Sequence, residues 1–180
     1  MTIHTSHPFA TPEPERSAAR RLRGRLGGAV SLWTAGQGDR RAGLTVSSLL
    51  VADGEPGRVL GLLDPDADLT EELLATGRGL VHLLRWEHRD LAEVFAGVAP
   101  APGGPFRTGD FVEHPAGPRL TTADGWAAVS VQETTEVGWS TLVTCVLDEV
   151  DLDAPEGREE DPLLHRRGRY RRVRATGSGQ

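Results

Sequence analysis

The chain has 180 residues and 19.3 kDa, with 38% hydrophobic and 26% charged residues and a net charge of −6, which describes one ordinary globular domain that buries about 70% of its unfolded surface. All 20 basic residues are arginine and there is no asparagine, so a P-loop lysine, a Schiff-base lysine, a lysine general base, an N-glycosylation acceptor and an Asn triad member are all excluded. The negative charge argues against nucleic-acid binding, the single Cys145 excludes internal disulfides and cysteine-cluster zinc sites, and no apolar run approaches the length of a transmembrane helix.

In chain order, residues 1–14 carry three prolines and two histidines and read as a loose tail without a signal-peptide core. Glu15 to Gly24 has helical composition, with Ala18, Ala19 and Leu22 on one face, and Gly27 and Gly28 end it. Ala29 to Thr34 alternates as a short strand, Gly36 to Asp39 is a turn, and Ala42 to about Val51 is a second strand, together an antiparallel hairpin. Arg58 to Leu63 is an apolar strand ending at Asp64-Pro65. Ala67 to Thr76 is a helix with Leu69, Leu73 and Leu74 inward and Glu71 and Glu72 outward, stopped by Gly77. Gly79 to Leu84 is a buried strand, and Glu87 to Phe95 a helix with Leu91, Val94 and Phe95 at i, i+3, i+4. Residues 99–118 form a long Pro/Gly-rich loop.

The last third is β in character. Ala127, Val129 and Val131 alternate, Thr141 to Val150 is a central strand, 148–161 is an acidic loop, and Leu163 to Val173 is a final strand. Strands dominate without regular helix alternation, which favours a mainly β barrel with short helices (α+β) over a doubly wound sheet. The pattern divides the chain into a tail over 1–14, one domain over 15–174 and a disordered end over 175–180.

Gly36-x-Gly38 lacks a third glycine and is no dinucleotide fingerprint. There is no G-x-S-x-G and no H-E-x-x-H, and the six histidines have no helical metal spacing, so no metal site is expected and no catalytic side chain is identified. Six segments carry a resemblance through their joint order: Gly43-Leu-Thr-Val-Ser-Ser48, Leu63-Asp64 before a helix, Gly77 to Leu84, His88 to Gly97, Gly104-Pro-Phe106 and His165 to Tyr170. From about Arg21 to Val173 the chain resembles the flavin reductase-like domains, which are FMN-binding split β-barrels with Greek-key-like connections. The resemblance implies an NAD(P)H:flavin oxidoreductase that binds FMN or FAD, moves a hydride from NAD(P)H to flavin N5, and supplies a partner monooxygenase. It also implies a cytoplasmic homodimer.

Carried over residue by residue, the resemblance assigns flavin contact to Thr45, Val46, Ser47, Ser48, Asp64, Ala67, His82, Phe106, Arg169 and Tyr170. In a strand Thr45 and Ser47 share a face, and hydroxyls suit the ring's polar edge. The same residues also fit ordinary polar strand positions. Ala67 and Leu69 stand where the family carries hydroxyls for the flavin phosphate, and Asp66 and Asp68 add repelling charge. Arg40, Arg41, Arg85 or the tail arginines are the candidates to compensate. Trp139-Ser140 replaces Asp-His after Gly138, and His82 stands where Asn is common. These departures leave a second reading open: a flavin-binding or partner-binding module with reduced catalysis.

Arg166 to Arg174 holds six arginines in nine residues. A charge-guarded edge strand is favoured there over a phosphate contact. Trp33, Trp86, Trp126 and Trp139 suit core or dimer packing better than ring stacking. Cys145 reads as an inert buried thiol.

Overall fold

The computed structural model describes residues 17–152 and 161–173. The tail over 1–14, the end over 175–180 and most of the acidic stretch therefore lie outside the described residues. Three helices, α1 (Ala18–Leu26), α2 (Asp68–Thr76) and α3 (Arg89–Phe95), decorate a β framework. Its strands are β1 (Gly28–Ala29), β2 (Ser31–Ala35), β3 (Ala42–Val46), β4 (Leu49–Ala52), β5 (Arg58–Leu63), β6 (Arg78–Leu83), β7 (Phe111–Val112), β8 (Arg119–Leu120), β9 (Gly125–Val137), β10 (Ser140–Asp151), β11 (Leu163–Arg166) and β12 (Arg169–Arg172). Among the described residues no helix is long and apolar enough to cross a membrane.

Seven strands form one antiparallel sheet in the order β3-β2-β6-β9-β10-β5-β4. Its two edges, β3 and β4, are consecutive in sequence and joined only by Ser47-Ser48. The sheet curls so that this dipeptide bridges its two edges, which makes a split barrel. Register shifts in the β9–β10 pair at Thr144/Cys145 and Leu147/Glu149 supply local bends of the kind that tighten such curvature.

Alternation explains the core. Val59 and Leu63 of β5 and Val143 and Cys145 of β10 point inward with Trp33, Val81 and Val129, and Leu69 and Leu73 of α2 join them. Gly61 leaves room for the indole of Trp33, since a Cβ there would lie 2.9 Å from Cη2 of the ring. A second cluster joins Val30 and Leu32 to Leu91, Ala92 and Phe95 of α3, with Phe106, Leu120 and Leu163. Strand β2 is therefore buried on both faces, as its unbroken burial from Ser31 to Ala35 shows.

Four expectations are corrected. The strand proposed for 42–51 is two strands, because the chain leaves the β2 ladder after Val46 and enters the β5 ladder, where Leu62 N–H donates to Ser48 O. Residues 163–173 form a hairpin and not one strand, turned at Arg167-Gly168 with φ of 53° and 74°. The helix expected from Glu87 opens as a 3-10 turn over Trp86–His88 before α3. Glu72 is buried, not outward, because Arg40 meets its carboxylate at 2.9 Å, whereas Leu74 faces solvent. Gly77 ends α2 in the left-handed region, as expected.

Candidate functional site

The split in the barrel opens a cleft of about 430 Å³. Its floor is the Ser47–Leu50 crossing. One wall is the outer face of the barrel strands: Leu60 and Leu62 of β5, Leu142 of β10 and Val137 at the end of β9. The alternation that sends Val59 and Leu63 into the core sends Leu60 and Leu62 here. The other wall is α1 and the strand after it, with Arg20, Arg23 and Leu26, while His165 and Gly168 of the C-terminal hairpin close the end. Gly28 passes so near the floor that a Cβ would lie 3.1 Å from Ser47 O.

Ser47 and Ser48 both line this cleft, and none of the hydrogen bonds among the described residues engages their hydroxyls. Thr45 differs. Its hydroxyl donates to Ala92 O at 2.8 Å, tying β3 to α3. The predicted pairing of Thr45 with Ser47 fails because strand alternation stops at the crossing. Val46 is buried in the core, and its carbonyl accepts from Ser31 Oγ at 2.8 Å.

His82 does not reach the cleft. Its side chain is fully buried, with Nδ1 2.9 Å from Leu32 O and Nε2 accepting from Leu120 N–H at 3.1 Å. The neutral Nδ1–H tautomer satisfies both bonds. Burial first, then the charges of Arg119, His114 and His88, bring its pKa down to about 4, although the bond to Leu32 opposes the shift. This histidine positions the 120 segment against β2 and β6.

Asp64 and Ala67 form the turn into α2. Asp64 O accepts from Ala67 N–H at 3.2 Å and from Thr70 Oγ1 at 2.6 Å, and its Oδ1 accepts from Asp66 N–H at 3.0 Å. The turn is thus closed by its own groups. Phe106 lies in a second hollow of about 340 Å³, with Arg41, Gly43 and Asp68, and the Arg41 guanidinium covers its ring at 5.0 Å. Arg169 is exposed. Tyr170 is half-buried, with its ring 5.7 Å from that of His165. Burial, followed by the charge of Glu93, pushes its phenol up to about 12.

Of the arginines weighed as compensators, Arg40 is paired with Glu72 and Arg41 lies on Phe106. Arg85 is buried beside Glu87, Thr122 O and Asp124. None of the four tryptophans lines the cleft. Trp33 is core, Trp126 donates to Asp151 at 3.1 Å, and Trp139 stands 93% exposed at the tip of the β9–β10 hairpin. Cys145 is fully buried and its thiol is pushed up to about 12 by burial, then by Asp148. Sequence reasoning missed Arg20, Arg23, Leu60, Leu62 and Leu142 as cleft residues. The i, i+3, i+4 spacing of Arg20, Arg23 and Gly24 was the available signal.

The cleft is of ordinary ligand-site size, apolar along one wall, with two unengaged hydroxyls on its floor.

A family model described as "Flavin reductase like domain" matches residues 23–174. The reductase component of 4-hydroxyphenylacetate 3-monooxygenase from Pseudomonas aeruginosa is 25% identical over 142 residues, covering 78% of this chain and 84% of that one. Component B of nitrilotriacetate monooxygenase from Mycobacterium thermoresistibile superposes with a TM-score of 0.78 at 19% identity, over 90% of this chain and 88% of that one. The NADH:FAD oxidoreductase SgcE6 of Streptomyces globisporus, solved with NAD and FAD fragments, gives a TM-score of 0.77 at 23% identity, over 94% of this chain and 98% of that one.

Proposed function

The chain belongs to the flavin reductase-like domain family, and from that membership we propose that it is an NAD(P)H:flavin oxidoreductase whose flavin, FMN or FAD, sits in the cleft at the Ser47-Ser48 crossing. The observation that carries this reading is the pair of unengaged serine hydroxyls under a leucine wall. Bound flavin supplies the hydride-accepting chemistry. The chain's own part is to hold and orient. Ser47 and Ser48 hydrogen-bond the polar edge of the ring, and Leu60, Leu62 and Leu142 exclude water from one face. Arg169 and Tyr170 follow the Gly168 turn that closes the cleft, and Tyr170 stays protonated at neutral pH and able to donate. Asp64 and Ala67 belong to the turn into α2 and Phe106 to the second hollow, outside the residues that line the cleft.

The relatives that are components of monooxygenase systems support delivery of reduced flavin to a monooxygenase. A cytoplasmic setting follows from a nicotinamide nucleotide as co-substrate. Leu50, at the end of the cleft floor, and Val51 next to it, 71% and 69% exposed on the β4 edge, support a homodimer that covers this edge. We place the domain over 15–174.

The test is NAD(P)H oxidation followed by absorbance with FMN, FAD and riboflavin in turn. Flavin-dependent oxidation is the expected result. One observation favours the second reading, a binding module: position 140, on the cleft side of β10 with Leu142, carries serine where the family's histidine stands. Flavin binding without any nucleotide oxidation would establish that module instead.

A further inference from the structure

We propose that the phosphate end of the flavin nucleotide is held by Arg20 and Arg23 of α1, at the rim of the cleft, and not by the turn that leads into α2. This rests on the reading of the cleft as a flavin site and specifies where the charged half of the ligand lies.

Among the described residues that line the cleft are two arginines and one histidine, and no aspartate or glutamate. The chain as a whole carries 26 acidic against 20 basic residues, so this composition is selective. Arg20, Arg23 and Gly24 face the cleft from one stripe of α1. Arg23 makes no ion pair among the described residues. Arg166 adds charge nearby, its Nε donating to Arg25 O at 3.2 Å. Cationic groups with one sign around a low-dielectric wall focus the field on the opening. A guanidinium fork also matches the geometry of a phosphate ester.

The alternative seat is worse on three counts. The turn into α2 carries Asp64, Asp66 and Asp68 within five residues. Thr70 Oγ1, its one nearby hydroxyl, is engaged by Asp64 O at 2.6 Å. The N-cap of α2 is Ala67, which offers no side-chain hydrogen bond. Arg20 and Arg23 line the same cleft as Ser47 and Ser48, and none of Asp64, Asp66 and Asp68 does. A dianionic phosphate goes to the rim.

Riboflavin, FMN and FAD are titrated into the full chain, with binding read as quenching of flavin fluorescence at low and high salt. At low salt FMN binds about 10-fold or more tighter than riboflavin, as charge-assisted hydrogen bonds require. The gap narrows at high salt. Arg20→Gln with Arg23→Gln erases the gap by lowering FMN affinity about 10-fold more than riboflavin affinity, and Arg20→Lys with Arg23→Lys recovers part of it. Helix α1 contributes no buried residue, so these variants leave the core intact, and the salt comparison uses the unaltered protein. A gap that persists in the double Gln variant, or FMN binding no tighter than riboflavin, overturns the proposal. So does a gap that widens in Asp66→Asn with Asp68→Asn, since the turn then holds the phosphate. Failure of riboflavin itself to bind removes the flavin reading beneath the proposal.

Discussion

Replacing His82 with Gln should remove a defined part of the protein's acid sensitivity. In the native state the ring is neutral, donating from Nδ1 to Leu32 O and accepting at Nε2 from Leu120 N–H. A second proton on Nε2 would oppose the Leu120 N–H and place an unpaired charge in a fully buried site. The pKa therefore falls from 6.5 to about 4. A lowered folded pKa means the unfolded chain binds the proton first. The stabilisation is fully present above pH 6.5 and is lost as pH falls toward 4. The full span corresponds to about 3 kcal/mol, of which about 2 kcal/mol is lost by about pH 5.

Urea unfolding at several pH values between neutrality and about pH 5 reads this directly. With a urea slope of about 2 kcal/mol per molar, the wild-type midpoint should fall by about 1 M more than that of the variant. Carboxylates titrate in both proteins and cancel in the difference. The Gln amide offers an N–H donor for Leu32 O and a carbonyl acceptor for Leu120 N–H and does not titrate, so His82→Gln supplies both kinds of group while removing the titration. Parallel pH profiles for the two proteins would show that His82 is not the group responsible, and a His82 imidazole resonance, assigned by its loss in His82→Gln, that titrates near 6.5 would contradict the buried geometry.

Ser47→Ala with Ser48→Ala should weaken flavin binding by about 0.5–1.5 kcal/mol per lost hydrogen bond, measured by fluorescence titration, with the urea midpoint unchanged. Thr45→Val should do the reverse, lowering stability by a similar amount and sparing affinity, because its hydroxyl serves Ala92 O. Gly43→Ala would put a Cβ 2.7 Å from Phe95 Cδ1; the expected loss is about 1–3 kcal/mol by urea or thermal unfolding, and an unchanged midpoint would mean that α3 moves freely over β3. Leu50→Asp with Val51→Asp should convert a dimer to monomer by light scattering, and a dimer that persists would place the interface away from β4.

The sheet was legible because its strands obey short-range rules. Apolar runs at 58–63 and 141–150, bounded by turn residues, need no tertiary information to be read as strands. What such runs conceal is which of their two apolar faces is core. Leu60 and Leu62 look identical to Val59 and Leu63 in sequence, yet one pair lines a cleft and the other fills the barrel. The same ambiguity surrounds Thr45 and His82. A hydroxyl or an imidazole in a strand reads alike whether a ligand or another backbone faces it. Only the docking of α3 on β3, and of the 120 segment on β6, decides between them. Both contacts are distant in sequence and carry no local signal.

The site itself follows from how the sheet closes. Interior strands have their backbone groups paired on both sides, so a ligand near them meets side chains alone. At Ser47-Ser48 the chain leaves one ladder and joins another that lies on the opposite edge. There it presents two small polar side chains at the gap in the barrel. Two small hydroxyl side chains leave the cleft open and offer hydrogen-bonding groups on its floor. Gly28, where a Cβ would lie 3.1 Å from Ser47 O, lets the strand after α1 cross closely enough to bring the arginines of that helix to the rim. The floor, the leucine wall and the charged rim thus come from three parts of the chain that only the curled sheet brings together.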